Sequence, residues 1–289
     1  MRELSMLIKP ASGRCNLRCK YCFYEDVTEH RDQADLGMMS EHTLELLVRQ
    51  AMELAEGRVS FAFQGGEPML RGLEFYRKFV ELEQAYARPG LQVEHSIQTN
   101  GTLIDGVWAD FFRENGFLVG LSLDGTRELH DVNRVDVRGK GTWSTVTRAL
   151  GILQAHQAEC NILCVVTGAL ARRGQAVYQR LKKLGCRYLQ FIPCLDPLGN
   201  RGGQPFSLTP ERYSNFLRTV FDLWYQDWEQ GNYVSVRLFD DYVHRLAGQP
   251  TGTCATTGTC GRYLVAEGDG SIYPCDFFVL DEWRLGRLG

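Results

Sequence analysis

The chain has 289 residues, with 32 Lys and Arg against 35 Asp and Glu, giving a formal charge of −3. Hydrophobic residues make up 44% and charged residues 23%. That is the balance of a soluble globular protein, and it excludes wholesale disorder, a collagen-like chain and a general nucleic-acid binder with its basic excess.

Apolar runs at 5–8, 59–63, 93–99, 118–123, 161–167 and 188–193 read as strands. Helical spacing fills the gaps. It is clearest over 40–54, where Ser40 suits an N-cap and Leu44, Leu47, Ala51 and Leu54 share a face. Further helices are expected over 73–85, 106–115, 143–155 and 175–184. Such alternation argues for parallel βαβ units, and six of them suggest a barrel or an open partial barrel rather than a flat sheet. After Pro193, Gly and Pro gather in 195–204 as a long loop, followed by helical stretches at 210–229 and 238–246. From Gly252 the chain is rich in Gly, Thr and Cys, and two short runs around Gly268-Asp269-Gly270 read as a hairpin. The change in texture places a boundary near 240–250.

Ten cysteines are present: Cys15, Cys19, Cys22, Cys160, Cys164, Cys186, Cys194, Cys254, Cys260 and Cys275. A disulfide framework suits a small secreted domain, whereas this chain is long and lacks the apolar opening of a signal peptide. No window approaches the roughly 18 apolar residues that span a bilayer. The expectation is a cytoplasmic protein with reduced cysteines, some of them metal ligands.

Cys15, Cys19 and Cys22 form C-x3-C-x2-C on a polar stretch. Three such thiolates can hold three irons of a 4Fe–4S cube and leave the fourth open. Zinc is the alternative, since Cys19 and Cys22 alone match a zinc knuckle, but a structural zinc site takes four ligands and none follows before His30. Directly after the second strand run stands Gln64-Gly65-Gly66-Glu67-Pro68. Paired glycines let backbone approach a ligand, and Glu67 can accept a hydrogen bond from an amino group. Alone this is a tight turn; together with the cysteine triplet it is specific.

The triplet and Gly-Gly-Glu-Pro resemble the radical S-adenosylmethionine (AdoMet) superfamily. Residues 7–12, 61–68, 98–102, 161–167, 190–198 and 273–277 further resemble anaerobic sulfatase-maturating enzymes. The resemblance covers essentially the whole chain. It implies an α/β fold, a partial (β/α)6 TIM-like barrel over 1–240, followed over 241–289 by the start of a SPASM-type auxiliary-cluster domain. It implies that AdoMet chelates the open iron and, on reduction, yields a 5′-deoxyadenosyl radical. Gly65, Gly66 and Glu67 would hold the amino end, Ser122 and Arg134 the carboxylate, and Tyr21 and Leu195 the adenine. Without the family, Arg134 reads as a solvated loop charge.

The same resemblance makes Asp276 the base toward a peptidyl Cys or Ser that becomes Cα-formylglycine, with Tyr24 and Gln64 positioning the peptide. The bare reading of Asp276 is a turn cap. Cys254, Cys260 and Cys275 match three ligands of a first auxiliary 4Fe–4S cluster. The family's fourth cysteine lies further along than Gly289, so the expectation is a truncated chain with that cluster incomplete. Partners implied are a sulfatase polypeptide and a reduced flavodoxin- or ferredoxin-like donor, with no nucleic acid and no membrane. Another SPASM-type peptide maturase, forming thioethers or epimerising residues, is the competing enzyme. A non-catalytic iron–sulfur electron carrier is the competing class, although it would have little use for Gly65-Gly66-Glu67, Ser122 and Arg134.

Overall fold

The computed structural model describes residues 3–289. Strand β1 (Glu3–Ile8) leads into the cysteine loop, helix α1 (Phe23–Glu29) and helix α2 (Glu41–Leu54). The chain then alternates through β2 (Arg58–Phe63), α3 (Leu73–Ala85), β3 (Gln92–Thr99), α4 (Gly106–Glu114), β4 (Phe117–Ser122), α5 (Arg127–Asp131), α6 (Trp143–Ala155) and β5 (Cys160–Val166). It continues with α7 (Gly168–Ala171), α8 (Gly174–Lys183), β6 (Tyr188–Pro193), α9 (Pro210–Glu229), β7 (Ser235–Val236), α10 (Arg237–Leu246) and α11 (Cys254–Thr257). Three short strands close the described chain: β8 (Leu264–Ala266), β9 (Ser271–Tyr273) and β10 (Gly286–Arg287).

The expected strands and long helices are present, with ends shifted by a residue or so. Ser40 caps α2 by accepting the Thr43 N–H at 3.0 Å. The helix then buries Leu44, Leu47, Val48, Ala51 and Met52. Helices α1, α5, α7 and α11 went unread because each is too short to show an amphipathic period.

Strands β1 to β6 are parallel, and each pairs with the next in sequence order. No reversal of strand order occurs, so right-handed crossovers wind the chain one way and the sheet curls. The sheet runs linearly from β10 to β7 and is not closed. The fold is therefore a partial (β/α)6 barrel. Its core is aromatic where α3 lies on β2: Phe63 meets Phe79 edge-on at 4.9 Å and Tyr76 at 5.1 Å. Such pairs add about 0.5–1.5 kcal/mol each beyond the area they bury.

The C-terminal hairpin joins the same sheet. β8 pairs in parallel with β1, Met6 opposite Leu264 and Ile8 opposite Ala266, and β9 returns antiparallel to β8. Beneath it Leu7, Val27, Val265, Tyr273 and Val279 make a small second core. A buried ion pair fixes it further, Arg31 Nη1 to Glu267 Oε1 at 2.9 Å, with side chains 1% and 0% exposed. Arg31 Nε also donates to the Val279 carbonyl at 2.6 Å. These contacts carry residues beyond 270 to the loop that follows β1. Among the described residues no helix is long and apolar enough to cross a membrane.

Candidate active site

The cysteine loop leaves the C-terminal end of β1 and ends where Cys22 caps α1. Cys22 N–H donates to the Cys19 carbonyl at 3.0 Å, folding the triplet into a turn. Cys15 Sγ accepts from Leu17 N–H at 3.4 Å and from Asn100 Nδ2 at 3.8 Å. Burial pushes the Cys15 thiol up to about 11 and the Cys19 thiol to about 12, and raises Cys22 as well. Cys22 raises both Cys15 and Cys19 through its charge, and Cys15 raises Cys19. Thiols so removed from water keep their protons until a metal replaces them.

Among the described residues no three His, Cys, Asp or Glu converge on a point that could hold a single ion. A 4Fe–4S cube gives each thiolate its own iron and needs no such convergence. The donor set, three thiols with N–H groups aimed at one sulfur, fits the cube.

The glycine turn follows β2. Gly65 and Gly66 have φ of +98° and +56°, and a Cβ on Gly66 would sit 2.3 Å from the Arg14 carbonyl oxygen. Only glycine fits there. Glu67, expected at the amino end of AdoMet, is engaged by the protein. Its side chain is 0% exposed and turns inward, Oε1 accepting from Met69 N–H and Thr99 Oγ1 and Oε2 from Asn100 N–H, at 3.0, 2.8 and 2.8 Å. These three contacts brace the ends of β2 and β3. Burial raises its carboxyl to about 7.

Arg134 is not a solvated charge. It is 7% exposed, with Nε 2.9 Å from Asp124 Oδ2 and Nη2 3.4 Å from Oδ1, and its guanidinium lies 5.5 Å over the Tyr21 ring. Asp124 also accepts from the Tyr21 hydroxyl and, at 3.0 Å, from Val165 N–H. Sequence reasoning missed Asp124, although an acid at the end of an apolar strand is itself a signal. Arg134 lowers the Cys19 thiol through its charge, which puts this network beside the triplet. Ser122, at the end of β4, is 6% exposed. Leu195, just past β6, is 46% exposed.

Asp276 is 5% exposed and takes hydrogen bonds on Oδ2 from the Tyr24 hydroxyl at 2.8 Å and Gln64 Nε2 at 3.3 Å. Gln64 also donates to the Tyr24 hydroxyl. Helix α1, the end of β2 and the turn after β9 thus supply one cluster. Lys9, which the sequence did not single out as a site residue, completes it with Nζ 3.0 Å from Asp276 Oδ1. Burial and the Asp276 charge hold the Tyr24 phenol well above its usual range.

Cys275 is half-buried, with its sulfur 3.5 Å from the Tyr263 hydroxyl, whereas Cys254 and Cys260 are exposed. Asp241, buried on α10, holds the Cys254 segment by accepting from Gly252 N–H at 3.1 Å and Thr256 Oγ1 at 3.0 Å. Cys164, Cys186 and Cys194 are buried and Cys160 is partly so.

Comparison with known proteins agrees with this arrangement. Residues 10–170 match the model of the radical SAM superfamily. The cysteine-type anaerobic sulfatase-maturating enzyme of Clostridium perfringens is 47% identical over all of this chain, covering 78% of the relative. The serine-type enzyme of Klebsiella aerogenes is 36% identical over 98% of this chain and 69% of its own length. The solved structure of native anSMEcpe with bound AdoMet superposes with a TM-score of 0.94 at 48% identity, over 99% of this chain and 78% of that one. The chain is therefore a radical SAM enzyme, and it belongs to the family of anaerobic sulfatase-maturating enzymes.

Proposed function

We propose that the chain converts a Cys or Ser of a sulfatase polypeptide into Cα-formylglycine. Identity of 47% to a cysteine-type relative against 36% to a serine-type one favours a cysteinyl substrate. In this reading Cys15, Cys19 and Cys22 hold the catalytic 4Fe–4S cluster, while Gly65, Gly66, Ser122, Arg134, Tyr21 and Leu195 receive AdoMet. Loaded and reduced, that pair supplies a 5′-deoxyadenosyl radical able to take a hydrogen atom from the substrate Cβ.

The chain's own residues supply binding, orientation and proton transfer. Asp124 fixes the Arg134 fork, leaving the Nη1 edge for a carboxylate. Tyr24 and Gln64 hold Asp276, whose carboxylate accepts the substrate's thiol or hydroxyl proton. Cys254, Cys260 and Cys275 are the proposed ligands of an auxiliary 4Fe–4S cluster, in a unit over 241–289 that follows a barrel over 1–240. A flavodoxin- or ferredoxin-like donor in the cytoplasm would deliver the reducing electron.

The observation that carries this reading is the cluster of Asp276, Tyr24 and Gln64 beside the helix that Cys22 caps. The test is anaerobic reconstitution with iron and sulfide, then incubation with AdoMet, a reductant and a sulfatase-derived peptide carrying Cys or Ser. Mass spectrometry should find an aldehyde that a hydrazide traps. A thioether or an epimerised residue in its place would move the protein to another class of peptide maturase.

A further inference from the structure

Lys9 stands one residue past β1 and is 2% exposed. Its Nζ lies 3.0 Å from Asp276 Oδ1 and 4.6 Å from the Tyr24 ring centroid. Its backbone N–H donates to the Ala266 carbonyl at 2.8 Å, at the end of β8 in the same hairpin that carries Asp276. The stem runs under the glycine turn, where a Cβ on Gly65 would come within 2.8 Å of Lys9 Cγ. A buried ammonium is costly unless an anion and a π face compensate it, and here both are supplied by the proposed substrate-facing cluster.

The two oxygens of Asp276 are treated differently. Oδ2 takes the Tyr24 and Gln64 hydrogen bonds. Oδ1 is buried without a hydrogen bond and meets only the Lys9 charge. The carboxylate is thus held from both sides, which fixes its rotation about Cβ–Cγ. No hydrogen bond or ion pair joins Lys9 to Cys15, Cys19, Cys22 or Arg134 among the described residues. The ammonium end of Lys9 instead meets Asp276 and Tyr24, the proposed substrate-facing cluster.

We infer that Lys9 is the positioning residue for Asp276, its ammonium turning the carboxylate toward the substrate's thiol or hydroxyl proton. This rests on the reading of Asp276 as the base, and the experiment separates the two. Lys9→Met, Asp276→Asn and the double variant are compared in the intact protein for 5′-deoxyadenosine, formylglycine, the kcat and KM for peptide, and the thermal midpoint before cluster loading. Lys9→Gln replaces Lys9→Met if that variant fails to fold.

Lys9→Met should cleave AdoMet near the wild-type rate and lower kcat for formylglycine about ten- to a hundredfold, the scale of a lost contact to a charged group, with KM little changed. The double variant should be no slower than Asp276→Asn alone, and its thermal midpoint no lower than that of Lys9→Met, because residues acting through one contact are not additive. Parallel loss of cleavage and product, or effects that multiply in the double variant, would overturn the role of Lys9. So would full product formation by Lys9→Met while Asp276→Asn is inactive. If Asp276→Asn itself makes product normally, the reading of Asp276 fails instead, whatever Lys9 does.

Discussion

The Tyr24 hydroxyl donates to Asp276 Oδ2 at 2.8 Å across 252 residues of chain, joining the helix that leaves the cysteine triplet to the turn that follows β9. The contact exists because β8 adds to β1 and brings the hairpin to the mouth of the barrel. Tyr24→Phe removes that donor and leaves the ring in place. Formylglycine production should fall roughly ten- to a hundredfold, the scale of a hydrogen bond to a charged group, while 5′-deoxyadenosine still forms. Product at the wild-type rate would make the contact incidental.

Replacing Cys15, Cys19 and Cys22 together with Ala should abolish 5′-deoxyadenosine formation and remove the iron of one cluster. Iron analysis and product chromatography check both. A triple variant that still cleaves AdoMet sinks the assignment of these thiols.

Gly66→Ala would place a methyl group 2.3 Å from the Arg14 carbonyl oxygen at a φ of +56°. The left-handed backbone alone costs about 1–3 kcal/mol for a non-glycine residue, and the clash adds to it. The expected result is a lower thermal midpoint together with weaker AdoMet binding, read by calorimetry. An unchanged midpoint would show that the turn relaxes freely.

Burial raises the Glu67 carboxyl from 4.5 to about 7. The folded chain therefore holds this proton more tightly than the unfolded one. Its contribution to stability is fully present below about pH 4.5 and is lost as pH rises through about 7. Glu67→Gln lowers stability overall, since an amide N–H then faces a donor, but it should also remove this part of the pH slope. Denaturant unfolding at about pH 5 and about pH 8 measures the difference. A variant whose stability changes with pH exactly as the wild type does would refute it.

Strands were legible because six apolar runs sit between helices of matching period, and the turn after β2 because Gly65-Gly66 has few other uses. Orientation was not legible. Whether Glu67 faces a ligand or the protein is decided by donors on Thr99 and Asn100, which reach it only when β3 pairs with β2. Arg134 looked like a loop charge because its partner Asp124 lies on the far side of α5, and a guanidinium shows its burial only through that partner. Lys9 and Asp276 meet through the β1–β8 pairing, which no local pattern in a three-residue strand announces.

The most direct test is Asp276→Asn in the intact protein, with 5′-deoxyadenosine and formylglycine quantified in the same reaction. The amide keeps the shape and removes the proton acceptor. A base within hydrogen-bond reach contributes roughly 10²–10⁴-fold, so formylglycine should fall by that order while AdoMet cleavage continues. Formylglycine at the wild-type rate, or loss of cleavage along with product, would contradict the account.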